Sequence, residues 1–214
     1  RTSVERAPLA LRFGLTEPEA VLRRPVPCAP RLNTAAPSFD GALRLHFHSR
    51  GAISNLYLEP LPPPAAPREA AVLLRVRAVG INFRDVLNVL GVYPGDPGPP
   101  GSDCAGVVAA LGDGAGSQLR IGDSALGHRI AALASIARTD ARLVAALRAP
   151  LSLEQASTLP TTWSTVHMSL LASRARSGGS VLLHAGAGGV GLAAGEYSHW
   201  LRARPSATVG RPYK

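Results

Sequence analysis

The sequence predicts an α/β fold with a large β-rich part, on two observations. Short alternating strands, separated by turns rich in Pro and Gly, fill residues 41 to about 145, the pattern of an all-β, barrel-like module. After Pro150 the pattern changes to helices and strands in alternation, and one of those strands runs straight into a glycine-rich turn. The length of 214 residues, 46% of them apolar, suits one large domain or two small ones.

The elements follow in order. Residues 1 to about 40 have no steady period and carry Pro8, Pro18, Pro25, Pro27, Pro30 and Pro37. Thr16 could open a short helix that Pro25 and Pro27 would stop, and the segment reads as a linker or the tail of a preceding domain. Leu43, Leu45 and Phe47 alternate with Arg44 and His46, a strand signature. His46 and His48 then share a face, but no acid or thiol lies near them in sequence, so they read as ordinary strand histidines. Leu56 to Leu61 is a second strand, and the prolines from Pro60 to Pro67 form a stiff loop. Ala71 to Val79 is a strand with arginines on alternate positions. Asp85 to Leu90 predicts a short helix ended by Gly91, and Tyr93-Pro94-Gly95 begins a loop to Gly101 that belongs at a surface or cleft. Cys104 to Leu111 is a strand, Gly112 to Gly116 a turn, and Leu119 to Asp123 leads into another strand.

Ser152 caps a helical run. A second helix spans Trp163 to Ser173, with Val166, Leu170 and Leu171 on a common side and Trp163 read as core. Val181 to Ala185 is a buried strand. Gly186, Gly188 and Gly191 then fall as G-x-G-x-x-G, with Gly189 and Val190 between them, before a helix from Val190 to Leu201. Between a strand and a helix this spacing points to a dinucleotide: Gly186 for a tight turn, Gly188 for close approach of a pyrophosphate, Gly191 for helix packing. The helix N-terminus supplies N–H groups to the phosphates. Pro205 stops that helix, and Ser206 to Val209 predicts a second parallel strand.

Composition excludes several classes. No run approaches the ~18 apolar residues of a membrane span. Arginines give a net charge of +9 but no concentrated block, and aromatics are 5%, so nucleic acid is not the expected partner. Cys28 and Cys104 are the only cysteines, which argues against a disulfide framework or a four-cysteine zinc site and suits a reducing, cytoplasmic location. The chain opens on Arg1, and its one methionine is Met168, so an incomplete chain is the expectation.

Several stretches together resemble one family. They are Val79-Gly-Ile-Asn-Phe-Arg-Asp-Val-Leu, Leu90-Gly-Val-Tyr-Pro-Gly, Gly101-Ser-Asp-Cys-Ala-Gly-Val-Val, Thr139-Asp-Ala-Arg-Leu-Val, Leu159-Pro-Thr-Thr-Trp-Ser-Thr and the glycine stretch from Leu183 to Ala194. In this order they resemble the zinc-independent, quinone-reductase-like medium-chain dehydrogenases/reductases, and most narrowly the enoyl reductase domain of polyketide and fatty acid synthases. The resemblance implies a GroES-like β-barrel domain over 41–150, followed over 151–214 by the start of a Rossmann domain. It implies NADPH in the cleft between them, with an acyl carrier protein and other synthase domains as partners. Zinc-dependent members carry Gly-His-Glu where this chain has Gly101-Ser102-Asp103, so no metal is expected. About six strands complete a Rossmann domain, and roughly two are present here.

By the same resemblance Tyr93 matches a proton-donating tyrosine, Asn82 an asparagine near the nicotinamide and Thr165 a threonine close to it. Asn82 also reads as a helix cap. No acid follows Glu196, where an NAD-specific domain would place one on the ribose; Arg211 and Lys214 instead suit a 2′-phosphate, with Tyr213 beside it. The expected activity is NADPH-dependent enoyl reduction. A stand-alone quinone oxidoreductase and a truncated, non-catalytic fragment are the alternatives.

Overall fold

The computed structural model describes residues 41–210 apart from 117, 130 and 149, together with two short strands before them. The chain divides into two units, 1–38 and 39–214. In the first, β1 (Val21–Arg23) pairs antiparallel with β2 (Val26–Cys28). The short helix expected from Thr16 lies outside the described residues, as does most of the expected linker.

In the second unit, β3 (Ala42–Phe47) and β4 (Leu56–Leu61) make an antiparallel ribbon. His46 and His48 sit beside Tyr57 of β4, and the His48 ring stacks on it at 4.0 Å. The ribbon is joined to the rest by backbone bonds such as Leu45 N–H to Leu133 O, 2.7 Å. A five-stranded antiparallel sheet follows, in the order β8–β5–β6–β7–β9. Its strands are β5 (Ala71–Gly80), β6 (Asp103–Leu111), β7 (Ser124–His128), β8 (Ile136–Asp140) and β9 (Val144–Ala146). Alternation places Val72 and Leu74 inward, sealed with Cys104, Val108, Ala125 and Ala137, while Arg75 and Arg77 stand in solvent. Full burial of each Val or Leu in that cluster stabilises by ~1.5–3 kcal/mol.

Between β5 and β6 runs α1 (Phe83–Val89), which starts two residues earlier than expected. After the sheet come α2 (Leu153–Ser157) and α3 (Pro160–Ala172). Ser152 caps α2 as expected, its Oγ accepting the Gln155 N–H while Gln155 Oε1 accepts the Ser152 N–H. Then β10 (Ser180–Leu183), α4 (Gly189–Trp200) and β11 (Arg204–Ala207) form a βαβ unit with parallel strands. Val166 and Leu170 of α3 pack on Ala193 and Ala194 of α4, with Trp163 partly buried against them. Leu171, expected on that side, is 64% exposed. It lies five residues from Val166, beyond the i, i+4 row that faces α4.

The second parallel strand also differs from expectation. It begins at Arg204, not Ser206, and includes Pro205 opposite Val181. The bonds from Arg204 N–H to Gly179 O and from Thr208 N–H to Leu183 O show that the even-numbered residues face β10. The missing N–H of Pro205 points away from the ladder and costs it nothing.

Candidate functional site

The glycine turn joins β10 to α4. Left-handed backbone is needed here, but Ala185 (φ 56°) adopts it, not Gly186. Gly186 serves close approach instead: a Cβ on it would lie 2.5 Å from Cβ of Ala207 on β11. A Cβ on Gly191 would meet Ala185 O at 2.5 Å and Gly186 Cα at 2.6 Å, so this glycine lets α4 start against the turn, as expected. A Cβ on Gly189 would meet nothing within 4 Å. The first turn of α4 therefore has an open flank beside its unpaired N–H groups, a fit for a phosphate. A cavity of about 450 Å³ runs along this flank, lined by Gly188, Gly189, Val190 and Gly191 with Leu182 and Val166.

A second cavity, about 360 Å³, opens between the sheet and the helices. One wall is Gly80, Ile81, Asn82 and Asp103; the other is Trp163 and its neighbours, with Gly189 and Glu196 from α4. Asn82 lies in this wall, and it is also tied into the fold. Its N–H donates to Asp85 Oδ2 at 2.9 Å in a capping box at the start of α1. Its Nδ2 donates to Ser102 Oγ and to Asp103 Oδ2, both at 3.1 Å.

Asp103 is the residue that sequence reasoning missed. It is 1% exposed and heads β6. Oδ1 accepts from Thr161 Oγ1 at 2.6 Å and lies 3.3 Å from His128 Nδ1. Oδ2 accepts from Asn82 Nδ2 and from the Thr161 N–H, 3.1 Å. Burial pushes this carboxyl up, but the hydrogen bonds from His128, Thr161 and Asn82 outweigh it and hold the group below its ordinary value. The Asp103 carboxylate raises His128 in turn, against that ring's own burial. An acid heading an otherwise apolar strand, with a histidine closing the strand beside it, was the available signal.

The other ring nitrogen of His128 reaches α3. Ser164 Oγ gives its single proton to Pro160 O at 2.6 Å. The same Oγ lies 3.1 Å from His128 Nε2. With the Asp103 carboxylate beside Nδ1, the protonated form of His128 is favoured.

Asp85 and Asn88 are a further pair whose role sequence did not reveal. Buried Asp85 also accepts the Gly101 N–H at 2.8 Å. Asn88 donates to Gly98 O at 2.9 Å and accepts from Arg50 Nε at 2.9 Å. Together they fasten the later part of the Pro/Gly loop, at Gly98 and Gly101. Tyr93, at the start of that loop, is half-buried, with the Arg84 guanidinium 5.6 Å over its ring. It does not line the cavity that holds Asn82. Thr165 is exposed on α3 and lines neither cavity. Arg211, Tyr213 and Lys214 lie outside the described residues. Among the described residues no three His, Cys, Asp or Glu side chains come together, and no helix is long and apolar enough to cross a membrane.

Residues 68–146 match the alcohol dehydrogenase GroES-like domain. A phenolphthiocerol synthesis polyketide synthase type I, Pks15/1 of Mycobacterium marinum, is 38% identical over 194 residues, covering 86% of this chain and 9% of that protein. The crystal structure of CurK enoyl reductase superposes with a TM-score of 0.73 at 34% identity, over 82% of this chain and 56% of that one. The Escherichia coli quinone oxidoreductase, solved in complex with NADPH, has a TM-score of 0.65 at 30% identity, over 80% of this chain and 53% of that one. The chain thus spans about half of the solved relatives and under a tenth of the curated one.

Proposed function

Because this chain carries part of a zinc-independent medium-chain dehydrogenase/reductase like the enoyl reductases of polyketide synthases, we propose that it serves NADPH-dependent enoyl reduction. The substrate in this reading is an α,β-unsaturated acyl thioester on a carrier protein, inside a cytoplasmic multidomain synthase. Residues 41–150 would be the GroES-like catalytic domain and 151–214 the beginning of the Rossmann domain, with 1–40 leading in from a preceding one.

The observation that carries the reading is the glycine turn. Its open flank, at the N-terminus of a twelve-residue helix between parallel strands, suits the pyrophosphate of a dinucleotide. NADPH, when bound, supplies the hydride for the substrate β-carbon. The chain's own task is to hold, neutralise and protonate. Gly186, Gly188, Gly189, Val190 and Gly191 would hold the pyrophosphate. Arg211 and Lys214 would neutralise the 2′-phosphate, with Tyr213 beside it. Tyr93 would give its phenolic proton to the α-carbon as negative charge leaves the thioester oxygen. Asn82 and Thr165 are the proposed neighbours of the nicotinamide. The positive balance of the chain favours an acidic carrier surface.

The test follows NADPH oxidation by the full-length protein with crotonyl thioester and with a quinone. Turnover of the thioester supports the proposal. Turnover of the quinone alone overturns it in favour of a stand-alone quinone oxidoreductase, the reading that the likeness to the Escherichia coli enzyme favours.

A further inference from the structure

Three side chains and one backbone N–H converge on one buried carboxylate in the cavity between sheet and helices. We infer that Asp103, paired with His128, is a positioning residue that fixes the width and charge of the cofactor cleft. The inference rests on the NADPH reading above.

The geometry carries it. Asp103 binds Asn82 of the sheet-side wall through Nδ2 and, through both N–H and Oγ1, Thr161 of α3, next to the lining residues Thr162 and Trp163. A carboxylate that accepts from both sides sets their separation. Neutral replacements make weaker bonds of the same kind. His128, on the neighbouring strand, faces Asp103 and reaches Ser164 of α3, a third link between sheet and helix.

Charge is the second part. A cleft for a phosphorylated dinucleotide should not present a bare carboxylate at its floor, and Glu196 already lines the same cavity. When protonated, His128 at 3.3 Å cancels the charge of Asp103. Other ionisable groups near the pair do not compete for this task. Cys104 is buried and its thiol is pushed up to about 11, so it stays neutral. Arg129, next in sequence to His128, directs its Nε to Arg138 O and an Nη to Ala131 O. If His128 loses its proton, the floor becomes anionic and the link to Asp103 weakens together.

The test uses the full-length protein and measures the KM for NADPH and kcat across pH, with the imidazole of His128 followed by NMR. Asp103→Asn should raise the KM about tenfold, the loss of one charge-assisted hydrogen bond, and change kcat less than about threefold. In the wild type, KM should climb as pH rises through the value at which the His128 resonance titrates. His128→Gln keeps a donor without the charge, so it should raise KM at low pH and abolish that climb. Thr161→Val, which spares the charges and the N–H, should raise KM without moving the His128 titration, and it serves if Asp103→Asn fails to fold. An unchanged KM in a folded variant of Asp103 or Thr161, or a KM climb that persists in His128→Gln, overturns the inference while leaving NADPH as the cofactor. A wild type that oxidises no NADPH overturns the cofactor reading, and the inference with it.

Discussion

Two glycines in one helix should respond to alanine with opposite signs. Gly191 lies in the first turn of α4, and Gly195 one turn further on. An added Cβ at Gly191 would sit 2.5 Å from Ala185 O and 2.6 Å from Gly186 Cα. A tight carbon–oxygen contact is about 3.3 Å, so the backbone must yield by roughly 0.8 Å. Ala185 cannot move freely: it is left-handed, and its carbonyl already accepts the Gly188 N–H at 2.9 Å. The cost should fall at the upper end of overpacking, ~3 kcal/mol. Removing a helical glycine returns ~1 kcal/mol. The net loss of ~2 kcal/mol lowers Tm by roughly 4–8 °C in a chain of this size. At Gly195 an added Cβ meets nothing within 4 Å, and only the helix gain remains. Gly195→Ala should raise Tm by roughly 2–4 °C. Thermal melts followed by circular dichroism decide both. A Gly191→Ala variant that melts at or above the wild type would refute the packing argument, and a Gly195→Ala variant that melts below it would refute the helix argument.

Further outcomes follow from the same reasoning. Tyr93→Phe should lower kcat for thioester reduction by about 10²-fold, with NADPH affinity unchanged, if its phenol is the proton donor; stopped-flow hydride transfer at full rate in that variant removes Tyr93 from the chemistry. Exchanging Arg211 for Ala should cut the preference for NADPH over NADH by roughly 10–100-fold, the worth of one bond to a charged phosphate, as read from paired KM measurements. The 214-residue chain alone should show little enhancement of nicotinamide fluorescence on titration with NADPH, because it spans about half of the solved relatives; tight binding would contradict this. Stability should be greatest between two limits. Asp103 is held below its ordinary 3.8, so its contribution is present above that value and is lost as pH falls through the depressed one. His128 is raised above 6.5, so its contribution is complete below 6.5 and is lost as pH rises through the raised one. Urea melts of wild type and Asp103→Asn across pH should show both limbs shrinking in the variant.

What sequence could reveal here was what is local. The alternation around Val72 and Leu74 marks a strand because side chains there answer to a period of two. The glycine spacing marks a turn between strand and helix because each contact it serves lies within a few residues, or on the strand alongside. Even so, local reasoning rested the tight turn on Gly186, whereas the left-handed residue there is Ala185. It began the second parallel strand only after Pro205, since nothing in a sequence tells which way an absent N–H would have faced. The pairings of Asp103 with His128, Asn82 and Thr161 span 25, 21 and 58 residues, and only the register of the sheet and the docking of α3 bring them together. Gly101-Ser102-Asp103 was legible as a departure from a zinc-binding pattern, but not as the start of a different electrostatic arrangement.

Helix α3 begins in an unusual way, and this bears on how the chain folds. Its N-cap is Leu159, whose side chain can accept nothing, and Pro160 follows at the first position. The acceptor for the Thr161 N–H comes from Asp103, on a strand 58 residues earlier. A helix of thirteen residues is marginal in water, and without a cap it is more so. The first turn of α3 should therefore remain frayed until β6 is seated in its sheet. Helix and sheet then gain order in one step, and the Thr161 amide should exchange with solvent only when the sheet itself opens.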